Sequence, residues 1–427
     1  MAEEIGRRVD ERMTDSGSLR EEVLTMLYRK MEKTGDELSV LGFGCMRLPT
    51  KRMGIDEERA IRQIRYAVDH GVNYLDTALI YPGSEQVLAR ALADGYREKV
   101  KLATKLPHML VTSREDMDRM LDLQLRTLKT DHIDYYLIHS LTSGEGWRKM
   151  NDLGVAGFLD AAKADDRIVN AGFSSHCGVE DFKEIVDGYG WDFCQIQYNF
   201  LDEMNQAGTE GLMYAASKGL GVIIMEPLRG GYLARDPPAQ VRAVWDEADT
   251  KRTPAEWGLR WVWNHPEVTV VLSGMNDEQH IEENIRIAGE ARPNSLTEKE
   301  LEIVGRAAEA YRSLNRVGCT GCRYCMPCPA GVNIPGCFEA YNTGGGTLQS
   351  KVMYHLRVGG KMDGAEPAYA SLCRNCGKCV KVCPQHLPIP EHLAEVTKEY
   401  ETVGARIIGS VTEYALRLMR WNTLRKA

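Results

Sequence analysis

A chain of 427 residues with 43% apolar and 27% charged side chains has the composition of a globular protein, and it is too long for one ordinary domain. Its net charge of −8 and pI near 5.8 argue against a nucleic-acid-binding surface, and no run approaches the roughly 20 uninterrupted apolar residues of a membrane span. The charged start, MAEEIGRRVDERMTDSG, lacks the apolar segment of a secretion signal, so a cytoplasmic protein is expected.

Residues 1–25 read as an N-terminal extension, either an accessory helix or a disordered arm. Leu27–Met31 and Glu37–Val40 flank Thr34-Gly35 as a hairpin. From 38 to 288 short apolar runs alternate with amphipathic stretches. The runs predict strands at Ser39–Gly44, Val72–Thr77, Val100–Lys105, Ile133–His139, Ile168–Ser174, Asp192–Tyr198, Gly221–Pro227 and Val268–Ser273. Helices are predicted after each of them: Glu57–His70, Glu85–Ala93, Arg114–Leu128, Trp147–Ala164, Val179–Asp187, Gly208–Lys218, Pro254–Asn264 and Glu278–Ala288. Thr253-Pro254-Ala255-Glu256 has the form of a capping box with proline at N1.

Strand–helix alternation implies right-handed parallel crossovers, and eight repeats favour closure into an α/β barrel of the (β/α)8 TIM type. No GxGxxG follows the first strand, which weighs against an open dinucleotide-binding sheet. Residues 296–313 form one more helix, so the barrel unit is expected to span 26–312. A cysteine-rich unit follows at 313–395, interrupted by the Gly-rich Thr343–Thr347 and the helix-like Leu348–Val358. A final helix occupies 396–427, with Arg417, Arg420, Arg425 and Lys426 on a solvated face.

Nine of the twelve cysteines lie between Cys319 and Cys383; Cys45, Cys177 and Cys194 are scattered, and read as core residues. A clustered set in a chain without an export signal points to metal ligation. The runs are Cys319-x2-Cys322-x2-Cys325-x2-Cys328-Pro329 and Cys373-x2-Cys376-x2-Cys379-x3-Cys383-Pro384. Three close cysteines on a wrapping loop reach three irons of a [4Fe–4S] cube, and a distant one supplies the fourth. Zinc also uses CxxC pairs, but rarely four cysteines in succession with a terminal proline. The runs resemble two-cluster bacterial ferredoxins, in which the last cysteine of each run serves the other cluster. That resemblance implies Cys319, Cys322, Cys325 and Cys383 on one cluster, and Cys328, Cys373, Cys376 and Cys379 on the second. The first run is one residue short before its last cysteine, which leaves Cys337 as a spare candidate. The long spacer between the runs suggests a small, mainly α-helical ferredoxin-like Fe–S module.

Four polar residues fall at or just past strand ends, where barrel enzymes place their chemistry: Asp76, Tyr81, Lys105 and His139. Taken singly, Asp76 with Lys105 reads as a structural ion pair, His139 as a core histidine and Tyr81 as a loop aromatic. Carbonyl reduction needs a hydride donor and an acid. A tyrosine, with a free pKa of about 10, becomes a better acid beside an ammonium. Together the four resemble the aldo/keto reductase tetrad, and TPAEWGLRWVWNHPEVTVVLSG is similar to that family's last helix–strand unit. The resemblance covers about 26–312 and implies an NAD(P)H-dependent oxidoreductase acting on a small carbonyl substrate.

It also implies cofactor contacts. Ser174, Ser175 and Gln195 would hold the carboxamide, with Ser175 in place of the usual asparagine. Met225 stands where the family stacks a tyrosine on the nicotinamide. Glu226, Pro227, Leu228 and Gly231 would line the pyrophosphate loop, and Ser273, Gly274, Met275, His280, Glu283 and Asn284 the adenosine segment. The family's basic residues for a 2′-phosphate are missing and Asp277 adds negative charge, which leaves NADH and NADPH open. Hydride transfer does not itself require a cluster. One reading is therefore carbonyl reduction with the clusters aiding docking or stability. Another is electron transfer between a redox protein partner and a barrel-bound nicotinamide, or a flavin, which no motif indicates. In a third, the barrel is only a binding module.

Overall fold

The computed structural model describes residues 25–402, except 53, 320, 322, 363, 364 and 384, together with 404 and 418–425. Most of the predicted N-terminal extension, Cys322, Pro384, Arg417 and Lys426 lie outside the described residues. A hairpin of β1 (Tyr28–Lys30) and β2 (Glu37–Ser39) pairs antiparallel, as the turn at Thr34-Gly35 predicts. Eight parallel strands then close into a barrel: β3 (Leu41–Gly44), β6 (Tyr74–Asp76), β7 (Lys101–Leu106), β8 (Ile133–Leu141), β9 (Ile168–Ser175), β10 (Phe193–Gln197), β11 (Gly221–Met225) and β12 (Val268–Ser273). Every one falls on a predicted strand. A two-residue hairpin, β4 (Thr50–Lys51) with β5 (Gly54–Ile55), follows β3.

Strand alternation divides the side chains between two cores. Tyr74, Ala103, Tyr135, Leu137, Phe193, Ile223 and Val270 fill the lumen, closed from the hairpin end by Met31 and Leu38. Gly172 is required there by close approach, since a Cβ would lie 2.5 Å from the Phe193 ring. The opposite strand faces pack against the helices: α1 (Glu57–Asp69), α2 (Ser84–Ala91), α3 (Arg114–Leu128), α4 (Gly144–Asp152), α5 (Val155–Ala164), α6 (Val179–Asp187), α7 (Gly208–Ser217), α8 (Ala239–Asp246), α9 (Pro254–Trp263), α10 (Glu278–Ala288) and α11 (Glu298–Ser313).

Three departures from the sequence reading have physical causes. The predicted helix Trp147–Ala164 is two helices, α4 and α5, because Gly154 takes φ +83 and breaks the hydrogen-bond ladder. No helix is predicted between Gly221–Pro227 and Pro254–Asn264, yet α8 forms there, and its Trp245 stacks on Trp257 at 5.2 Å and 11°. Thr253 caps α9 through the Glu256 N–H at 3.1 Å, but the Glu256 carboxylate turns to Arg260 (2.8 Å) and Arg286 (2.7 Å), so the box is half made. The complete capping box is Thr297 with Glu300, at the start of α11.

Beyond α11 no strand occurs among the described residues. Helices α12 (Ile334–Thr343), α13 (Leu348–Arg357), α14 (Lys378–Val382) and α15 (Ile389–Tyr400) build a separate small core from Ile334, Phe338, Tyr341, Tyr354, Leu393, Val396 and Tyr400. The predicted boundary at 395/396 cuts through α15, which belongs to this core by its own apolar face. Residues 418–425 are helical. Arg420 is not on a solvated face: its guanidinium meets Asp116 at 2.7 Å and donates to the Leu110 carbonyl at 3.1 Å. None of the described helices is long and apolar enough to cross a membrane.

Candidate active site and cysteine centre

The lumen alternation carries the polar set. Asp76 lies two residues after Tyr74, Lys105 two after Ala103, His139 two after Leu137, Gln195 two after Phe193 and Met225 two after Ile223, so all five are on the lumen face of their strands, beyond the apolar plug. Lys105 is fully buried and donates to Asp76 Oδ1 at 2.6 Å and to the Thr77 carbonyl at 2.7 Å. Its Nζ lies 5.1 Å from the centre of the Tyr81 ring, and that ring meets His139 edge-on at 5.8 Å. The structure thus brings the four predicted residues into one cluster. Tyr81 reaches it from the turn between β6 and α2, which Ser84 pins by bonding Thr77 Oγ1 (2.8 Å) and the Cys45 carbonyl (2.9 Å).

Burial works against the Lys105 ammonium, but Asp76 and Tyr81 more than offset it, and the lysine pKa is raised. Burial also raises Tyr81, and this exceeds the opposing pull of Lys105, so the phenol stays protonated. The expected acidification by the ammonium is present but outweighed. His139 is held far below its usual range by burial, then by Lys105, and is neutral; its Nδ1 has no protein partner. A network outside the sequence reading steadies β7 from behind. Glu85 accepts from Thr104 (2.7 Å) and Gln124 (2.8 Å), and Gln124 also donates to the Lys105 carbonyl (3.2 Å).

The positions that the resemblance assigns to a nucleotide lie on β9, β10, β11 and β12 and in the segments that follow β11 and β12. Gln195 donates to Met225 Sδ at 3.6 Å and leaves its own buried Oε1 without a partner, an acceptor suited to a carboxamide N–H. Ser174 Oγ accepts from the Ser140 N–H at 2.7 Å, and Ser175 Oγ is 2.8 Å from Cys177 Sγ. Pro227 and Leu228 lead into a turn in which Gly230 and Gly231 take positive φ, and Arg47 donates to the Gly230 carbonyl at 2.8 Å. Burial raises the Glu226 pKa, against the pull of Arg357 and Arg47, which favours its uncharged form. Asn284 donates to Ser273 at 2.9 Å, and Met275 is buried beside them. Gly274 lies beside Arg47, His280 is exposed, and Glu283 accepts from Thr253 at 2.5 Å. Asp277 pairs with Arg59 at 3.1 Å, which reduces the negative charge it presents. Arg47, Arg59 and Arg357 escaped the sequence reading because each comes from a segment remote from the family's nucleotide motifs.

The described cysteines of the two runs gather around two cavities. One, of about 150 Å³, is lined by Cys325, Cys328, Cys373, Cys376 and Cys379. A smaller one is lined by Cys319, Cys325 and Cys383. No three His, Cys, Asp or Glu side chains among the described residues converge as on a single metal ion. Cys337 is fully buried in the helical core beside Tyr354, and burial pushes its thiol up to about 12. Cys45, Cys177 and Cys194 are buried in the barrel unit.

Residues 40–305 match the aldo/keto reductase family and residues 318–389 match a 4Fe-4S dicluster domain. L-galactose dehydrogenase of Arabidopsis thaliana is 24% identical over 307 residues, covering 67% of this chain and 95% of that protein. Aldo-keto reductase family 1 member C2 of Homo sapiens is 26% identical, covering 66% and 90%. Among solved structures, an aldo-keto reductase of Bacillus halodurans in its holo form superposes with a TM-score of 0.56 at 26% identity, covering 67% of this chain and 97% of that one.

Proposed function

For a chain that belongs to the aldo/keto reductase family and carries a 4Fe-4S dicluster domain after its barrel, we propose a cytoplasmic oxidoreductase that reduces a small carbonyl compound, with Tyr81 as the acid. The observation that carries this reading is the buried Lys105, bonded to Asp76 and lying against the Tyr81 ring. A nicotinamide dinucleotide, when bound, supplies the hydride. Gln195 Oε1, Ser174 and Ser175 would hold its carboxamide, and Met225 would offer a thioether face to its ring; the unpartnered Gln195 Oε1 supports this reading. The Tyr81 hydroxyl gives its proton to the forming alkoxide, and Lys105 steadies the phenolate left behind. His139, neutral, orients the carbonyl oxygen by a hydrogen bond. The paired Asp277 leaves both NADH and NADPH acceptable.

The thiolates of Cys319, Cys322, Cys325 and Cys383, and of Cys328, Cys373, Cys376 and Cys379, would hold two [4Fe–4S] clusters. The membership of the two cavities supports this crossed assignment. A second reading, in which these clusters exchange electrons with a cofactor in the barrel, is favoured by one feature. The cysteine module packs over the strand ends, and its Arg357 lies within electrostatic reach of Glu226, next to Met225.

Anaerobic turnover of small aldehydes with either nucleotide tests the first reading. Tyr81→Phe is expected to lower kcat/KM by about 10²- to 10⁴-fold while leaving nucleotide affinity intact. Undiminished turnover in that variant removes Tyr81 from the chemistry. Bleaching of the cluster absorption by nucleotide alone would support the second.

A further inference from the structure

The two cysteine loops stand in different surroundings. In the first cysteine run, Gly321 packs on the backbone of Met204 and Asn205 of the barrel unit, and the Arg323 guanidinium packs on Gly178. The Cys373–Cys379 loop is open to solvent, with Arg374, Asn375 and Cys376 exposed. Around it stand Arg374, Lys378 and Lys381, all exposed. Exposed apolar side chains accompany them: Tyr324 is 68% exposed, Val382, next to Lys381, 50% and Leu372, next to Cys373, 39%. Tyr324, Arg374, Lys378 and Val382 line the same cavity that Cys373, Cys376 and Cys379 surround.

The charge here runs against the rest of the molecule. The chain carries −8, yet no Asp or Glu occurs from residue 367 to 390. The three cations form no ion pair among the described residues. Solubility alone would explain exposed lysines, and a need to offset thiolate charge would explain cations near cysteines. Neither accounts for an exposed tyrosine, valine and leucine at the same place. An apolar centre with an aromatic residue and a charged rim is the make-up of a protein interface.

We propose that this face docks an acidic, one-electron carrier protein, which exchanges electrons with the group held by Cys373, Cys376 and Cys379. Gly321 and Arg323 of the first run then mark the side that faces the barrel. The inference rests on the cluster reading of the cysteines. Each transfer oxidises the carrier by one electron and reduces the cysteine-held group by one, with no bond made and no proton moved. The positive rim draws the acidic carrier in, and the apolar centre lets the two redox groups approach without trapped water.

The test uses the full-length protein purified anaerobically, with an acidic [2Fe–2S] ferredoxin as the probe. Binding of the oxidised ferredoxin is measured by calorimetry at low and high salt, and bleaching by reduced ferredoxin is followed by stopped flow. The triple variant Arg374→Glu, Lys378→Glu, Lys381→Glu is expected to lose affinity and bleaching rate by on the order of tenfold or more at low salt, with a flattened salt dependence. Reduction by the small methyl viologen radical, itself a cation, should not slow in this variant. Tyr324→Ser is expected to weaken binding while keeping the salt dependence. Equal ferredoxin binding by the parent and triple variant overturns the proposal, as does a parent that the ferredoxin neither binds nor reduces. Equal slowing with ferredoxin and viologen, with ferredoxin binding unchanged, also overturns it, since the cations then act on the redox group alone. A protein that purifies without iron or brown absorption defeats the cluster reading beneath it, an outcome visible before any carrier is added.

Discussion

At the scale of single residues, the site works through protonation states set by burial. Tyr81 is pushed above its ordinary value by burial ahead of the opposing Lys105, and His139 is pushed down by burial and then by Lys105. A raised phenol keeps its proton below the ordinary tyrosine pKa, and a depressed imidazole stays neutral well below its own. Carbonyl reduction should therefore show kcat/KM level from about pH 6 to 9 and falling above about pH 10, as Tyr81 ionises. The reverse oxidation, which needs the phenolate, should rise over the same alkaline range. The check is a pH profile in both directions. A limb near pH 6.5 that disappears in His139→Gln would move the acid from the tyrosine to the histidine. These residues were legible beforehand because alternation along a strand fixes which side chains enter the lumen, and each stands near a strand's carboxyl end. The partners that tune them were not. Glu85 and Gln124 meet behind β7 from two helices, and Arg357 arrives from the other unit, so no spacing within one segment reveals them.

Elements show the same division between local and distant causes. The strands could be read because each is a short apolar run bounded by turn residues. The break between α4 and α5 turns on one glycine at φ +83, and α8 on the stacking of Trp245 upon Trp257. Neither leaves a periodic signal long enough to be decisive. The 418–425 helix is the clearest case, since basic residues there suggest a solvated face and the fold gives Arg420 a buried partner. Burial raises the Asp116 carboxyl, but Arg420 and Thr112 more than offset it, and the net shift is downward. Asp116 also caps its own neighbourhood through the Thr112 N–H and hydroxyl, both at 2.9 Å, so removing Arg420 leaves it partly satisfied. Arg420→Ala should thus cost only about 1 kcal/mol, with coupling to Asp116→Asn in a double-mutant cycle and faster amide exchange across residues 107–113. An additive cycle would show that the terminal helix does not secure that loop.

For the whole molecule, the two cores of the barrel share no residue with the core of the cysteine module, which implies two units that can lose their order separately. The barrel's cores run through eight strands and their helices, whereas the cysteine module rests on a handful of buried apolar residues, those in helices coming from α12, α13 and α15 alone among the described residues. A core that small depends on its metal, because ligand binding is then part of the folding free energy. Removing iron with a chelator under air should melt the helical module and leave the barrel able to bind nucleotide. Calorimetry should show the second transition unchanged while the first disappears. Cysteine variants separate ligands from packing within the same experiment. Cys376→Ala should lose iron and reproduce the chelated state, since its thiol is exposed beside the larger cavity and contributes nothing to the apolar core. Cys337→Ala should keep its iron and lower the first transition by about 1 kcal/mol, the cost of a small cavity next to Tyr354. Iron loss in Cys337→Ala would make that buried thiol a ligand and displace Cys328 from the proposed set. A single shared transition in the parent protein would instead mean that the module's seat on the strand ends, at Met204, Asn205 and Gly178, couples the two units into one.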